Sequence, residues 1–433
     1  MKYPPMDWIE KIIRIDSVTH HSNEDIVRFL YPLLEETGLK IEEQKIKEGS
    51  DVFTNLIAYS HTPDAKDLLV FNTHLDTVSA GDPKAWTKTQ GDPFQATQVR
   101  DRIYGLGSAD VKLDFLCKIL AARAAKPWKR PFALVGTFGE ERGLVGITHL
   151  LQAKKINPRF ALVGEPSNLE LIYAHKGHLI ATLGIDLSPG KTKTDTTIEK
   201  TWKGKSAHSS TPDLGDNALK KGLNDILKRG YGILSLTAGT DTNKVPDRCD
   251  ATLCESPTPG TQRLFQVIRE LEELSIELRR RRDARFSPAV ITLSLNKAFM
   301  EGTELQLSFD IRTLPDTNPE ILKNKVYALQ KATKSRLVSF SQDPPLRGKK
   351  TSSFMELAAK SLKASGVAKV VRKTKASSTE AAVYNQYGAE AIIFGPGISI
   401  GNVHRPNEYN SAKQLKVATS FYTNILQMPF KEV

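Results

Sequence analysis

Three short apolar runs in the first 180 residues, DLLVFNTHLD, RPFALVGTFGEE and RFALVGEP, each end in histidine or carboxylate side chains. A run without polar alternation is buried on both faces, which is the habit of strands in a sheet covered on both sides by helices. VKLDFLCKILAARAA, between the first two runs, has its apolar residues at helical spacing. IEKIIRI and NEDIVRFLYPLLEETG also read as helices, the second stopped by Gly38. Strand–helix alternation of this kind predicts an α/β unit with a mainly parallel sheet. Such sheets place ligands beyond the carboxyl ends of their strands, where the polar residues of these runs fall.

The pattern changes near residue 178. HLIATLGIDLS, TDTTIEKTWKG, GILSLTAGT, AVITLSLNKAF and ELQLSFDIRTLP read as strands, several of them alternating. DNALKKGLNDILKRG, NPEILKNKVYALQKAT and the long TQRLFQVIRELEELSIELRRRRD read as helices. This predicts an α+β unit with a largely antiparallel sheet. From about residue 350 the first pattern returns, with helix SFMELAAKSLKASG, strand and loop AEAIIFGPG, and closing helix SAKQLKVATSFYTNILQM. A chain of 433 residues is long for one core. The expected division is residues 1–177, an insertion at 178–345, and a return at 346–433.

A chain that is 39% hydrophobic and 25% charged belongs with soluble globular proteins. There is no run of 18 apolar residues to span a membrane, and the first 20 residues do not read as a signal peptide. Cys117, Cys249 and Cys254 form no CxxC pair and suit a reducing, cytoplasmic setting. The net charge of +12 raises the alternative of a non-catalytic nucleic-acid-binding protein. Its basic runs are Lys191, Lys193, Lys200, Lys203 and Lys205, and Arg279 to Arg282 with Arg285. No nucleic-acid-binding motif accompanies them, so a solvated face or an attraction for anionic ligands is the preferred reading.

The strand ends carry the chemistry. THLDT holds His74 and Asp76, GLGSADVK places Asp110 before a helix, FGEERG holds Glu140 and Glu141, VGEPS holds Glu165, and GNVHRPNE supplies His404. Taken singly, each has an ordinary explanation. Asp110 could cap the following helix, and the paired glutamates could open the loop before Gly143. Taken together, His74, Asp110, Glu141, Glu165 and His404 supply imidazoles and carboxylates suited to a pair of zinc-like ions.

HLDTV, the GxGxxDxK at Gly105–Lys112, GEE, GEPS and the HxxNE at His404–Glu408 resemble, in order, the motifs of the M20 metallopeptidase family. The resemblance spans almost the whole chain. It implies a zinc-peptidase-like catalytic domain with an inserted ferredoxin-like lid and dimerisation domain, and two divalent ions, zinc first, with cobalt or manganese possible. By resemblance, His74 and Glu165 hold one ion, Glu141 and His404 the other, and Asp110 bridges them. Asp76 matches the residue that orients a ligand imidazole, and Glu140 matches the general base, its side chain pointing opposite to that of Glu141 on an extended segment. Val111 stands where many relatives carry Met or a second Asp.

GKSAHSSTP resembles the lid motif, which makes His208 the candidate oxyanion donor, often acting on a neighbouring subunit. Asn243 in NKVPD matches a polar lid contact to substrate. Arg312 in DIRTLP matches a ligand for the substrate carboxylate, with an internal salt bridge as the equal alternative. Gly395, Pro396 and Gly397 are expected to shape the floor of the site. SSTEA at Ser377–Ala381 matches only loosely, and Glu380 is given no role. The expected activity is cleavage of the acyl amide of a small N-acyl amino acid, of the acetylornithine deacetylase or desuccinylase type, by a homodimer paired through the insertion. The alternative is a dipeptidase or carboxypeptidase acting on short peptides.

Overall fold

A computed structural model describes residues 3–191 and 196–429, so Lys193 of the first basic run lies outside the described residues. The chain divides into two compact units. One comprises Met1–Ala174, Leu346–Thr374 and Thr379–Val433, and the other His175–Pro345 with Lys375–Ser378.

The first unit is built on an eight-stranded sheet in the order Lys40–Glu48, Asp51–Tyr59, Phe132–Thr137, Leu69–His74, Phe160–Val163, Glu390–Ile393, Leu171–His175, Arg372–Lys375. Its centre is parallel: Leu69–His74 pairs with Phe132–Thr137 and Phe160–Val163, and Phe160–Val163 with Glu390–Ile393. Every residue of Leu69–His74, Phe132–Thr137 and Phe160–Val163 is buried, as expected for strands covered on both faces. Antiparallel pairing attaches the hairpin Lys40–Glu48 and Asp51–Tyr59 on one side of this centre and Leu171–His175 on the other. The mainly parallel character expected of the sheet is carried by its four central strands.

The helix Lys112–Ala124 packs under Leu69–His74 and carries a fully buried ion pair, Lys118 Nζ to Asp114 Oδ2 at 2.6 Å. Buried charges survive only when hydrogen-bonded all round, and these are. Lys118 donates to Asn72 O and to Thr73 Oγ1, both at 2.6 Å, and the Tyr422 hydroxyl donates to Asp114 Oδ1 at 2.5 Å. The pair pins the last turn of the strand that ends in His74.

The second unit is a seven-stranded sheet in the order Thr197–Lys203, Arg248–Cys254, Gly232–Ala238, Thr292–Glu301, Glu304–Thr313, Gly177–Asp186, Arg336–Asp343. Every pairing in it is antiparallel, as the alternating patterns predict. Helices Ala218–Arg229, Pro259–Leu278 and Pro319–Thr333 accompany it. The long helix ends at Leu278, so the run Arg279 to Arg282 follows the helix instead of forming its basic end. In the other basic run, Lys200 pairs with Asp225 at 3.0 Å and sits over the Tyr231 ring. Among the described residues no helix is long and apolar enough to cross a membrane.

Candidate metal centre and catalytic site

Strand register in the first unit brings the polar ends together. Asn72 lies opposite Val163, so two residues further on His74 and Glu165 leave adjacent strands. His74 lies opposite Thr137, and Glu140 and Glu141 follow on the turn beyond that strand. This turn is not the extended segment the sequence suggests: Gly139 and Leu144 both have positive φ, and the two glutamate carboxylates lie with His74 in one group of ligand atoms within 4.8 Å.

Asp110 lies one residue before Val111, the N-cap residue of the helix Lys112–Ala124, and no side chain caps the helix. The Asp110 carboxylate is directed instead at two imidazoles. Oδ1 lies 3.3 Å from His74 Nε2 and Oδ2 lies 3.1 Å from His404 Nε2. His404 Nε2 is also 3.1 Å from Glu141 Oε1, so Asp110, Glu141 and His404 form a second group within 4.8 Å. Glu165 is buried and belongs to neither group, though its charge bears on Glu140. Four of the five expected ligands therefore converge as two nitrogen–oxygen clusters sharing Glu141, a donor set that fits borderline ions such as zinc.

The electrostatics follow from burial and proximity. Burial opposes charge on His74, yet its bonds to Asp110 and Asp76 outweigh that and hold the imidazole well above its usual value. Burial would raise Asp110, but His404 and His74 press it far below the carboxylate range. Glu140 is pushed well up, first by burial and then by the neighbouring charges of Glu165, Glu141 and Glu380, with His74 opposing. A carboxylate more basic than usual beside nitrogen and oxygen donors is suited to taking a proton from water.

The profile of peptidase family M20/M25/M40 matches residues 70–428. The chain belongs to this family. Acetylornithine deacetylase of Photorhabdus laumondii is 30% identical over 290 residues, 60% of this chain and 69% of that one. Its Proteus mirabilis counterpart is 34% identical over 268 residues, 57% of this chain and 63% of that one. Among solved structures, the aminoacylhistidine dipeptidase of Vibrio alginolyticus shares the fold with a TM-score of 0.67 at 16% identity, over 99% of this chain and 98% of that one. The M20 metallo-carboxypeptidase Sso-CP2 of Sulfolobus solfataricus does so with 0.66 at 16% identity, over 98% of both. The protein is thus an M20 hydrolase of amide bonds.

In this M20 chain Asp76 meets the His74 ring more closely through its backbone than through its side chain. His74 Nδ1 meets the Asp76 backbone carbonyl at 3.0 Å, while the carboxylate approaches only to 3.6 Å. The carboxylate oxygens are engaged elsewhere, accepting the backbone N–H groups of Glu140 and Glu141 at 3.2 Å each. One residue therefore fixes both the candidate ligand His74 and the glutamate turn.

Gly397 has φ +95°, and a Cβ there would lie 3.0 Å from that of Ala109, next to Asp110. This M20 chain thus uses the backbone freedom of glycine to bring the 395–397 loop against the Asp110 turn.

Two carboxylates went unassigned by sequence reasoning. Glu408, the last residue of HxxNE, is buried and accepts backbone N–H groups of the Asp110 turn. Glu380 is fully buried, bonded to Asn72, and pushed up to about 7 by burial. The HxxNE motif was a usable signal for Glu408, and the loosely matching SSTEA segment was the only local one for Glu380.

Of the second unit's candidates, His208 and Asn243 are exposed. Arg312 is 3% exposed and forks onto Asp310 with Nε and Nη2 at 3.0 Å each.

Proposed function

We propose that the protein removes the acyl group from an N-acyl amino acid, an acetylated basic amino acid in the first instance, with two divalent ions in its centre. Zinc is the first choice, with cobalt or manganese as substitutes. The observation that carries this reading is the Asp110 carboxylate, which offers one oxygen toward His74 and the other toward His404. A carboxylate so divided is suited to serve two ions, with Glu165 joining His74 on one side and Glu141 joining His404 on the other. Such ions, when bound, polarise the scissile carbonyl and lower the pKa of water.

The chain's own residues supply the rest. Glu140 takes a proton from the attacking water and hands it to the leaving amine. Asp76 holds the Glu140 backbone and the His74 ring during that exchange. His208 donates to the developing oxyanion, Asn243 adds a polar contact to substrate, and Gly397 shapes the floor. Pairing of two copies through the second unit and a cytoplasmic location belong to the same proposal, the latter supported by three cysteines that are all buried and free.

A panel of N-acetyl amino acids, N-succinyl amino acids and dipeptides, assayed with zinc, cobalt or manganese, tests the reading. Turnover of acetylated basic amino acids is expected; turnover of dipeptides alone would overturn it in favour of a peptidase. The identity to acetylornithine deacetylases favours the deacylase, since the dipeptidase and carboxypeptidase structures share only the fold.

A further inference from the structure

His208 begins a short segment whose next residue is fastened into the second unit's interior. Ser209 is fully buried, and its hydroxyl donates to Asp310 Oδ2 at 2.7 Å while accepting from Arg312 Nη2 at 3.0 Å. Asp310 in turn receives Arg312 Nε and Nη2 and lies 2.6 Å from His178 Nε2. The segment is held along its backbone as well, because Ser209 N donates to Asn243 O at 2.9 Å and Val245 N to Ala207 O at 2.8 Å. Ser210 N also donates to His208 Nδ1 at 3.1 Å. With Nδ1 an acceptor, neutral His208 carries its proton on Nε2, so Nε2 is the donor.

We infer that Ser209, Asp310 and Arg312 form a clamp that positions His208 as an Nε2–H donor, and that Arg312 serves this clamp instead of binding the substrate carboxylate. The Nε/Nη2 edge of a guanidinium is one of its two bidentate faces, and here Asp310 fills it. Asp310 is 1% exposed and is charged between Arg312 and His178, so its place is fixed by ionic hydrogen bonds on both sides. A donor that must meet a developing charge works only when its position is set beforehand, and a misplacement of about 1 Å can cost up to ~10²-fold in rate. The asparagine backbone at 243 is part of the same brace.

The inference rests on the proposed amidohydrolase activity, and the test separates the two. With N-acetyl amino acids as substrates, His208→Ala lowers kcat about 10²-fold, the usual worth of one oxyanion donor. Ser209→Ala, a small change that leaves the fold intact by thermal melting, lowers kcat about 10-fold with KM nearly unchanged. The double variant is no slower than His208→Ala alone within about twofold, since both act through one donor. Multiplicative losses in the double variant would overturn the clamp. So would Arg312→Lys raising KM for an N-acetyl amino acid while leaving its α-carboxamide analogue untouched, the signature of a carboxylate ligand. If the wild type hydrolyses none of these compounds, the activity fails and the clamp is judged by nitrogen NMR. A single sharp set of His208 imidazole signals that broadens or shifts in Ser209→Ala supports it, and an imidazole spectrum unchanged by the substitution overturns it.

Discussion

Glu408 Oε1 accepts the backbone N–H of Asp110 at 3.0 Å, although the two residues are 298 positions apart in the chain. The same oxygen takes the N–H of Ala109 at 2.7 Å. Glu408 is four residues beyond His404, so one short stretch carries both a candidate ligand and the acceptor that sets the turn of another. Removing such a supporting partner is expected to weaken metal retention about 10–100-fold. Competition of Glu408→Ala against a chelator checks this. Glu408→Gln, which keeps an oxygen acceptor, retains metal better than the alanine variant; equal loss in both would show that the charge matters and not the hydrogen bonds.

Glu140→Gln tests the base. The amide keeps the shape but cannot accept a proton, so kcat falls about 10²–10⁴-fold. Metal content of the purified variant, measured by elemental analysis, stays at the wild-type level. Unchanged turnover on the same substrates removes Glu140 from the mechanism.

Asp110→Asn probes the shared carboxylate. His74 and His404 each face one of its oxygens, and an amide replaces one of those oxygens with an N–H donor. Isothermal titration with zinc is expected to show loss of the tighter binding, with the sites no longer filling together. Undiminished uptake at both sites contradicts a bridging role.

Gly164→Ala tests the packing beneath the centre. A Cβ at Gly164 would run into the carboxylate of Asp114 and the ammonium of Lys118, the buried pair below the His74 strand. Overpacking of this kind costs about 1–3 kcal/mol. Denaturant unfolding reads that loss, and a variant as stable as the wild type shows that the pair shifts freely.

Glu380 gives the protein a pH dependence in its metal-free state. Burial raises the group from 4.5 to about 7, and the nearby charge of His74 and the bonds to Thr137 and Asn72 oppose the rise only partly. The native state therefore holds a proton that the unfolded chain releases across this interval. The associated stability is complete below pH 4.5 and is lost as pH rises through about 7. In chelator-treated protein, wild type should lose more stability between pH 5 and pH 8 than Glu380→Gln does (roughly one and a half units either side of the midpoint of that interval). Parallel unfolding curves at the two pH values refute the assignment.

The central strands were legible because burial on both faces leaves an unbroken apolar signature, as in Leu69–His74 and Phe160–Val163. The hairpin Lys40–Tyr59 was not. Its first strand, KIEEQKIKE, is an edge with only half-buried and exposed positions, so hydrophobic pattern carries little of its signal. The strands Arg248–Cys254 and Arg336–Asp343 were missed for a related reason, since both mix charged and apolar residues and gain their identity from neighbours in the sheet.

Sequence alone determined which residue types stand at the strand ends, their order, and the chemistry they can support. His74, Asp110, Glu141, Glu165 and His404 with Glu140 are readable from that pattern and from the family motifs. Tertiary structure decided who meets whom. It turned the Asp76 carboxylate toward two backbone amides, gave Asp110 both histidines, and closed Arg312 onto Asp310. It also set Glu380 against Asn72, 308 residues away. Those pairings depend on strand order and on hydrogen bonds between distant segments. Local spacing reports which face of an element is buried, but not which partner the burial brings.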